Sequence, residues 1–364
     1  MRSGTILVAA GGTGGHLFPA ESLAAELGRR GWTVDLATDE RADKYGRAFP
    51  ARAIHIIDSE TYRGRSPIAV MRTAWHMIRG LRQSWKLLAD VNPAAVIGFG
   101  GYPTVPPLLA AVIHHVPTIL HDQNAVMGRA NRAMAKRVNR IALSFSRTRH
   151  AEPFAAKCVH TGNPVRDMVI EAATIPYDPP VAGGEFRLLV FGGSQGARFF
   201  SDAVPPALAL LPADLRARLK LVQQVRAEDM ERTRTALSGL GIEAETAPFF
   251  VDLPARIAQA HLVLCRSGAS TVGELAVIGR PGLMVPLPHA LDQDQAENAR
   301  VLEEAGGGWT IRQAELTPER LAETLAGFMR EPDRLAAAAA AARAQGRPDA
   351  VARLADLVEA VAQG

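Results

Sequence analysis

Two glycine-rich runs in this chain have the composition to hold negative charge. Gly11-Gly12-Thr13-Gly14-Gly15-His16 follows the apolar run Thr5-Ile6-Leu7-Val8-Ala9, and Gly192-Gly193-Ser194-Gln195-Gly196 follows Phe186-Arg187-Leu188-Leu189-Val190-Phe191. Helical periodicity follows each. A strand, a glycine turn and a helix start aim backbone N–H groups and the positive end of a helix dipole at an anion. For either loop alone, a close-packed turn without ligand is an equal reading. Two such units in one chain imply two similar domains facing a shared cleft that holds something phosphorylated.

His16 closes the first run at the mouth of the helix. Its unperturbed pKa suits a base, and a helix N-terminus favours the neutral imidazole that a base requires. A capping or packing histidine is the competing reading. Ser194 and the loop amides suit a diphosphate, or Ser194 is a plain N-cap. A third loop, Cys265-Arg266-Ser267-Gly268-Ala269-Ser270-Thr271-Val272-Gly273-Glu274, follows a strand and opens a helix. Glu274 is expected in the first helical turn, where a carboxylate accepts both hydroxyls of a ribose or simply complements the dipole. After a further strand, Asp294 and Gln295 suit sugar hydroxyls. Asp292-Gln293-Asp294 is a D-x-D triplet of the kind that can hold a divalent metal; with no third ligand nearby in sequence, the aspartates are expected to cap a helix.

In the first half, Gly98-Phe99-Gly100-Gly101-Tyr102-Pro103 and His121-Asp122-Gln123-Asn124 each follow a strand and should open on the same edge as His16. Asn124 and Asn131 can hydrogen-bond a sugar or pyrophosphate, or serve as turn residues. A dinucleotide reading fits less well: a G-x-G-x-x-G frame from Gly12 puts Leu17 at the last glycine. Asp35 and Asp39 lie near the spacing of a ribose carboxylate, but Asp39-Glu40 can simply end a strand.

The elements that must position these loops alternate. Strands are predicted at 5–9, 33–37, 94–98, 117–121 and 139–143, with helices at 18–30, 67–89, 104–114 and 127–137. The second half repeats the scheme, with strands at 186–191, 219–224, 243–246, 261–265, 282–285 and 308–311. Its helices fall at 197–211, 227–238, 252–259, 270–278, 292–304 and 317–329. Short apolar strands alternating with helices argue for parallel, doubly wound sheets. Ile175–Gly184, rich in proline and glycine, reads as a linker. The alanine-rich tail from Pro332 reads as one or two helices.

Composition narrows the class. The chain has 364 residues, enough for two domains, and 48% hydrophobic against 21% charged residues predicts real cores. Cys158 and Cys265 sit in no ligand spacing and are expected as buried free thiols, as in a reducing cytoplasm. No signal peptide is expected, because Met1-Arg2-Ser3-Gly4 leads straight into a strand. The longest apolar stretch, 105–120, is broken by three prolines and two histidines, so no membrane span is expected. The net charge is only +4, but the basic residues are polarised into two first-half clusters. One is Arg63, Arg65, Arg72, Arg79, Arg82 and Lys86; the other runs from Arg129 to Arg149. In segment 67–89 these cations interleave with Met71, Trp75, Ile78, Leu81 and Trp85, a pattern suited to an anionic lipid surface. An ordinary amphipathic core helix is the alternative.

Taken in order, these runs, with Thr161-Gly162-Asn163-Pro164-Val165-Arg166 and Pro288-His289-Ala290, resemble the bacterial MurG family over nearly the whole chain. These are UDP-N-acetylglucosamine:undecaprenyl-pyrophosphoryl-N-acetylmuramyl-pentapeptide N-acetylglucosaminyltransferases. The resemblance implies an α/β GT-B glycosyltransferase fold: two Rossmann-like, doubly wound domains facing a cleft, with a C-terminal helix returning to the first. It implies an acceptor and membrane-facing domain at 1–164 plus about 345–364, and a UDP-sugar domain at 165–344. It further implies inverting, metal-independent transfer of N-acetylglucosamine from UDP-N-acetylglucosamine to the C4 hydroxyl of the muramyl sugar of lipid I, giving lipid II.

By motif, Ser194 and the loop amides would meet the diphosphate, Glu274 the ribose and Gln295 the donor sugar, with Arg166 and Arg266 as anion-binding groups and Phe250 in the uracil region. Ala269, Ser270, Thr271, Val272 and Gly273 complete the donor set, with Thr13, Gly14, Gly15 and Asn124 from the first domain. Tyr102, His121, Asp122 and Asn131 fall on the acceptor side, and His16 is the candidate base. No cofactor, metal or nucleic acid is expected. The partners implied are the two substrates, an anionic membrane surface at the cytoplasmic face of the plasma membrane, where the enzyme would be peripheral, and cell-wall synthesis proteins. Three positions depart from the family: Asp122 where glutamate is usual, Met127 where proline is usual, and Asp294 where histidine or glutamine is usual. Rival readings are another GT-B enzyme with a different lipid acceptor, an NAD-dependent oxidoreductase, and a non-catalytic nucleotide-sugar-binding subunit.

Overall fold

The computed structural model describes residues 4–40, 49–59, 67–193 and 196–364, with backbone alone at 67–70 and Leu291. Ser194, Gln195, Arg63 and Arg65 lie outside the described residues, as do the side chains of Ile68 and Val70. The chain forms two compact units: 1–166 with 348–364, and 167–347.

The first unit is built on strands β1 (Thr5–Ala9), β2 (Thr33–Thr38), β3 (Ala53–Ile56), β4 (Ala95–Gly98), β5 (Thr118–Asp122), β6 (Arg140–Leu143) and β7 (Cys158–His160). They pair in the order β3-β2-β1-β4-β5-β6-β7, all parallel. The central strands are buried on both faces, which is why they read as unbroken apolar runs. β3 and β7 are the edge strands, and neither is among the strands expected from sequence. β3 alternates half-buried and exposed residues, so it lacks the apolar run that marked the others. β7 has only three residues.

Helices cover both faces. On one, helix Gly14–Arg29 packs with the C-terminal helix Ala350–Gln363 against Ile6, Val8, Ile97 and Ile119. Arg30 donates to Asp356 and Glu359, and Trp32 Nε1 donates to Glu359 Oε1 at 2.9 Å. On the other face, Leu87 and Leu88 of helix Pro67–Val91 join Leu108 and Met134 over Leu7, Val96 and Leu120.

The second unit repeats the plan with β8 (Phe186–Phe191), β9 (Leu219–Gln224), β10 (Glu243–Ala247), β11 (Leu262–Cys265), β12 (Gly282–Met284) and β13 (Gly308–Thr310), in the order β10-β9-β8-β11-β12-β13. Its main core gathers Phe186, Phe200, Leu264, Leu283, Leu325 and Phe328. In each sheet the order reverses beside the first strand, so the first glycine loop of each unit sits at the topological switch point, where doubly wound sheets bind ligands.

Two expectations are corrected. The segment 175–184 is irregular, as its prolines demand, yet it lies inside the second unit. Buried Arg280 donates to the carbonyls of Ile175 and Pro176 and so pins it there. The first helix begins at Gly14 rather than near residue 18, because the last two glycines of the loop are already helical. Both cysteines are free thiols; Cys265 is fully buried and Cys158 half-buried.

Candidate active site

Gly100 and Gly101 have φ of +86° and +79°, a region that strains any residue with a Cβ. The turn they make brings Gly100 O to the N–H of Gly11 at 3.3 Å, joining the loops after β1 and β4. His16 lies in the cradle so formed. A Cβ on Gly11 would stand 3.3 Å from His16 Nδ1, and one on Gly100 or Gly101 would stand 3.5 Å from the ring. Thr13 is the N-cap residue of helix Gly14–Arg29 but makes no side-chain cap bond; its Oγ1 lies 2.8 Å from His16 Nδ1. Gly15 is exposed at the helix mouth and Gly14 is buried. Tyr102, half-buried, opens the 3-10 turn Tyr102–Thr104 directly after the cradle.

The polar run after β5 turns inward. His121 is fully buried. Its Nδ1 faces the Gln123 Nε2 donor at 2.8 Å and its Nε2 faces Gly162 O at 3.3 Å. That pattern suits a neutral ring with the proton on Nε2, and burial pushes its pKa down to about 4. Asp122 Oδ1 accepts from Asn124 N at 3.1 Å; its Oδ2 accepts from Gly128 N at 2.9 Å and Asn131 Nδ2 at 2.8 Å. Asn131 also donates to His121 O. The structure thus joins His121, Asp122 and Asn131 in one buried network beneath the half-exposed Asn124. The chemistry legible there is positioning of the Asn124 loop. Met127 departs from proline to some effect: its N–H donates to Arg149 O at 2.9 Å, a bond proline cannot make. Arg166 stacks its guanidinium 4.4 Å above the Phe18 ring, which places it beside the first helix of the same unit.

Of the two carboxylates named for the dinucleotide alternative, Asp39 is buried and its Oδ2 accepts from Gly12 N at 3.5 Å beside the first glycine loop. Asp35 is buried and is taken by Arg52 at 3.0 and 2.8 Å and His55 at 3.1 Å, all of which hold it ionised well below the usual range against the cost of burial.

In the second unit, Gly193 and Gly196 have φ of +86° and +68° on either side of Ser194 and Gln195. Gln224 Oε1 accepts from Gly192 N at 3.0 Å and anchors the loop to β9. Beside β8, β11 ends at Cys265 and helix Ala269–Ile278 starts after the N-cap Gly268. Ala269, Ser270 and Thr271 form its first turn, where Gly268 offers no side chain to cap their N–H groups. Val272 N bonds back to Gly268 O. Glu274 is the sixth helical residue. It therefore lies in the second turn, one residue past Gly273, which corrects the expected first-turn position and removes the dipole as the main reason for a carboxylate there. It is buried.

Arg266 is buried and makes neutral contacts: Nη1 to Val285 O at 3.0 Å and Pro286 O at 3.3 Å, and Nη2 to Gln313 Oε1 at 2.6 Å. Burial lowers its pKa. Gln313 carried no sequence signal. Ser267 Oγ donates to Gln295 O, while Gln295 Oε1 accepts from Leu287 N at 3.0 Å, tying the third and fourth loops together. Phe250 is buried under the Arg256 guanidinium, 4.3 Å from its ring, between exposed Phe249 and Val251.

The D-x-D triplet is not a simple cap. Asp292 and Gln293 both have positive φ, +54° and +59°, the helix starts at Asp294, and Asp294 Oδ1 accepts from Gln295 N at 2.7 Å. Burial raises the Asp294 pKa.

The chain matches the glycosyltransferase family 28 N-terminal domain over residues 6–143 and the family 28 C-terminal domain over residues 187–354. It is 57% identical to a UDP-N-acetylglucosamine--N-acetylmuramyl-(pentapeptide) pyrophosphoryl-undecaprenol N-acetylglucosamine transferase of Chelativorans sp. (strain BNC1), covering 100% of this chain and 97% of that one. A protein of the same name from Brucella abortus (strain S19) is 55% identical over 99% and 95%. Among solved structures, Acinetobacter baumannii MurG superposes with a TM-score of 0.80 at 26% identity, covering 99% of this chain and 100% of that one. The two Rossmann-like units are those of a GT-B glycosyltransferase. The chain belongs to the UDP-N-acetylglucosamine--N-acetylmuramyl-(pentapeptide) pyrophosphoryl-undecaprenol N-acetylglucosamine transferase family, the MurG proteins.

Proposed function

We propose that this chain transfers N-acetylglucosamine from UDP-N-acetylglucosamine to the C4 hydroxyl of the muramyl sugar of lipid I, forming lipid II. The carrying observation is full-length identity of 57% to a transferase named for that donor and that class of acceptor. The second unit is the donor unit and the first the acceptor unit. The acceptor oxygen attacks the anomeric carbon, the bond from that carbon to the UDP oxygen breaks with inversion, and UDP leaves with the electron pair. Helix starts and Arg266 in the second unit offset the charge that develops on the leaving diphosphate.

His16 takes the hydroxyl proton. This role needs Nδ1–H donating to Thr13 Oγ1, so that Nε2 is the basic atom; the 2.8 Å separation supports it. Asn124, held by Asp122, binds ligand from the first unit. Ser194, Phe250, Glu274 and Gln295 bind the donor.

The enzyme works at the cytoplasmic face of the membrane as a peripheral protein. Among the described residues no helix is long and apolar enough to cross a membrane. Helix Pro67–Val91 supports surface contact. It buries Gly80, Ser84, Leu87 and Leu88 and exposes Met71, Trp75, Ile78 and Trp85 beside Arg72, Arg79, Arg82 and Lys86. A core-facing amphipathic helix would bury its tryptophans.

The test is transfer of labelled N-acetylglucosamine to a lipid I analogue, with chelator present, by wild type and His16→Ala. A fall in kcat of more than about a hundredfold supports His16 as base. Transfer that survives in the variant removes that role, and wild-type turnover only with another lipid acceptor removes the named reaction.

A further inference from the structure

Arg266 is a buried cation held entirely by neutral groups. It is the first residue after β11, and Cys265, Met284 and Thr310 are in register across β11, β12 and β13. Its guanidinium therefore straps three adjacent strand ends, through Val285 O, Pro286 O and Gln313 Oε1. It is 7% exposed, and among the described residues no carboxylate pairs with it. A buried charge is ordinarily matched by an opposite one, because desolvation is costly unless a counter-charge compensates it.

The position explains the exception. The guanidinium lies 5.4 and 5.3 Å from the rings of Phe199 and Phe200, in the first turn of the helix after the second glycine loop, and its own chain leads through Gly268 into helix Ala269–Ile278. A ligand anion at these helix starts would supply the missing charge.

We infer that Gln313 is a positioning residue of the donor half-site, holding Arg266 with a neutral oxygen so that its charge is left for a nucleoside diphosphate. This rests on the reading of the second unit as the donor unit. Gln313 sits beyond β13 in a 3-10 turn, outside every glycine loop. Glutamate at the same position would keep the strap and pair with Arg266 inside the protein, removing the standing charge without removing the contact.

The experiment compares wild type, Gln313→Glu and Gln313→Met in the full chain. It reads the donor KM, inhibition by UDP and by uncharged uridine, and the thermal midpoint without ligand. In Gln313→Glu, UDP inhibition and the donor KM weaken about tenfold, uridine inhibition moves less than about twofold, and the midpoint does not fall. Gln313→Met, which leaves the charge unpaired, keeps more of the UDP-over-uridine preference than Gln313→Glu even where its midpoint drops. Equal shifts for UDP and uridine, or no shift for either, would show a merely structural role and overturn the inference. A Gln313→Met variant that loses the preference as fully as Gln313→Glu overturns it too. A wild type that neither binds UDP nor uses the donor removes the donor reading itself, and this role with it.

Discussion

Replacing Asp122 by asparagine tests whether the buried network, rather than direct ligand contact, is the work of this carboxylate. Asp122 is 1% exposed and the N–H donors to its two oxygens include those of Asn124, Gly128 and Asn131. Asparagine has one oxygen. In its better orientation that oxygen serves Gly128 and Asn131, and its NH2 group faces the Asn124 N–H. One buried donor is then unsatisfied and the charge assistance of the other two bonds is lost. An unsatisfied buried donor costs about 1–3 kcal/mol, and charged hydrogen bonds are roughly twice as strong as neutral ones. The expected destabilisation is about 2–4 kcal/mol, confined to the first unit.

The assay is hydrogen exchange across 118–134, with urea unfolding followed by the tryptophans. Three of the four, Trp32, Trp75 and Trp85, lie in the first unit. Amides of 122–131 should lose protection in the variant while those of the second unit keep theirs. Because the Asn124 loop moves, kcat/KM should fall about ten- to a hundredfold. Asn131→Ala should cost less alone, and the double variant less than the sum, because the two share one bond. A Asp122→Asn protein within about 0.5 kcal/mol of wild type, with unchanged exchange at 122–131, would refute the network account.

Acid should weaken both units between the same limits. Burial holds His121 and His261 down at about 4, whereas the unfolded chain protonates them near 6.5, so the unfolded state binds more protons in that window. Stability is full above pH 6.5 and falls as pH drops toward 4, by on the order of 3 kcal/mol for His121 and by less for His261; His121→Gln should flatten the profile of the first unit, and an unchanged profile would contradict this. At Gly80 a Cβ would stand 2.2 Å from Asp58 O, so Gly80→Ala must push helix Pro67–Val91 off its seat; a loss of about 1–3 kcal/mol is expected on thermal unfolding, and a neutral substitution would mean that the close approach is absent in solution. Trp75→Glu should change stability by less than about 0.5 kcal/mol and weaken binding to vesicles of anionic phospholipid about tenfold or more. Undiminished vesicle binding would move the membrane contact elsewhere.

Much of this protein was legible in its sequence because the relevant physics is local. Apolar runs such as Ile6–Ala10 and Leu262–Cys265 have no polar face to give to water, so they announce parallel strands covered on both sides, and both are buried. Glycines after a strand can announce turns that only glycine tolerates, as after β4, where Gly100 and Gly101 have the positive φ that explains the choice. Order along the chain then sets the two Rossmann-like halves and the loops at their strand ends. The edge strands β3 and β7, the capture of 175–184 by Arg280, and the partners of each polar side chain were decided by contacts between residues far apart in sequence. Arg266 read as an anion-binding group, and its sequence held no sign that Gln313, 47 residues on, would hold it. Nothing near Asp122 in sequence signals that it accepts from Gly128 and Asn131 beneath the Asn124 loop. Residue type and local spacing determine which elements form and where chemistry is available. Which side chains meet depends on how sheet order brings distant strand ends together.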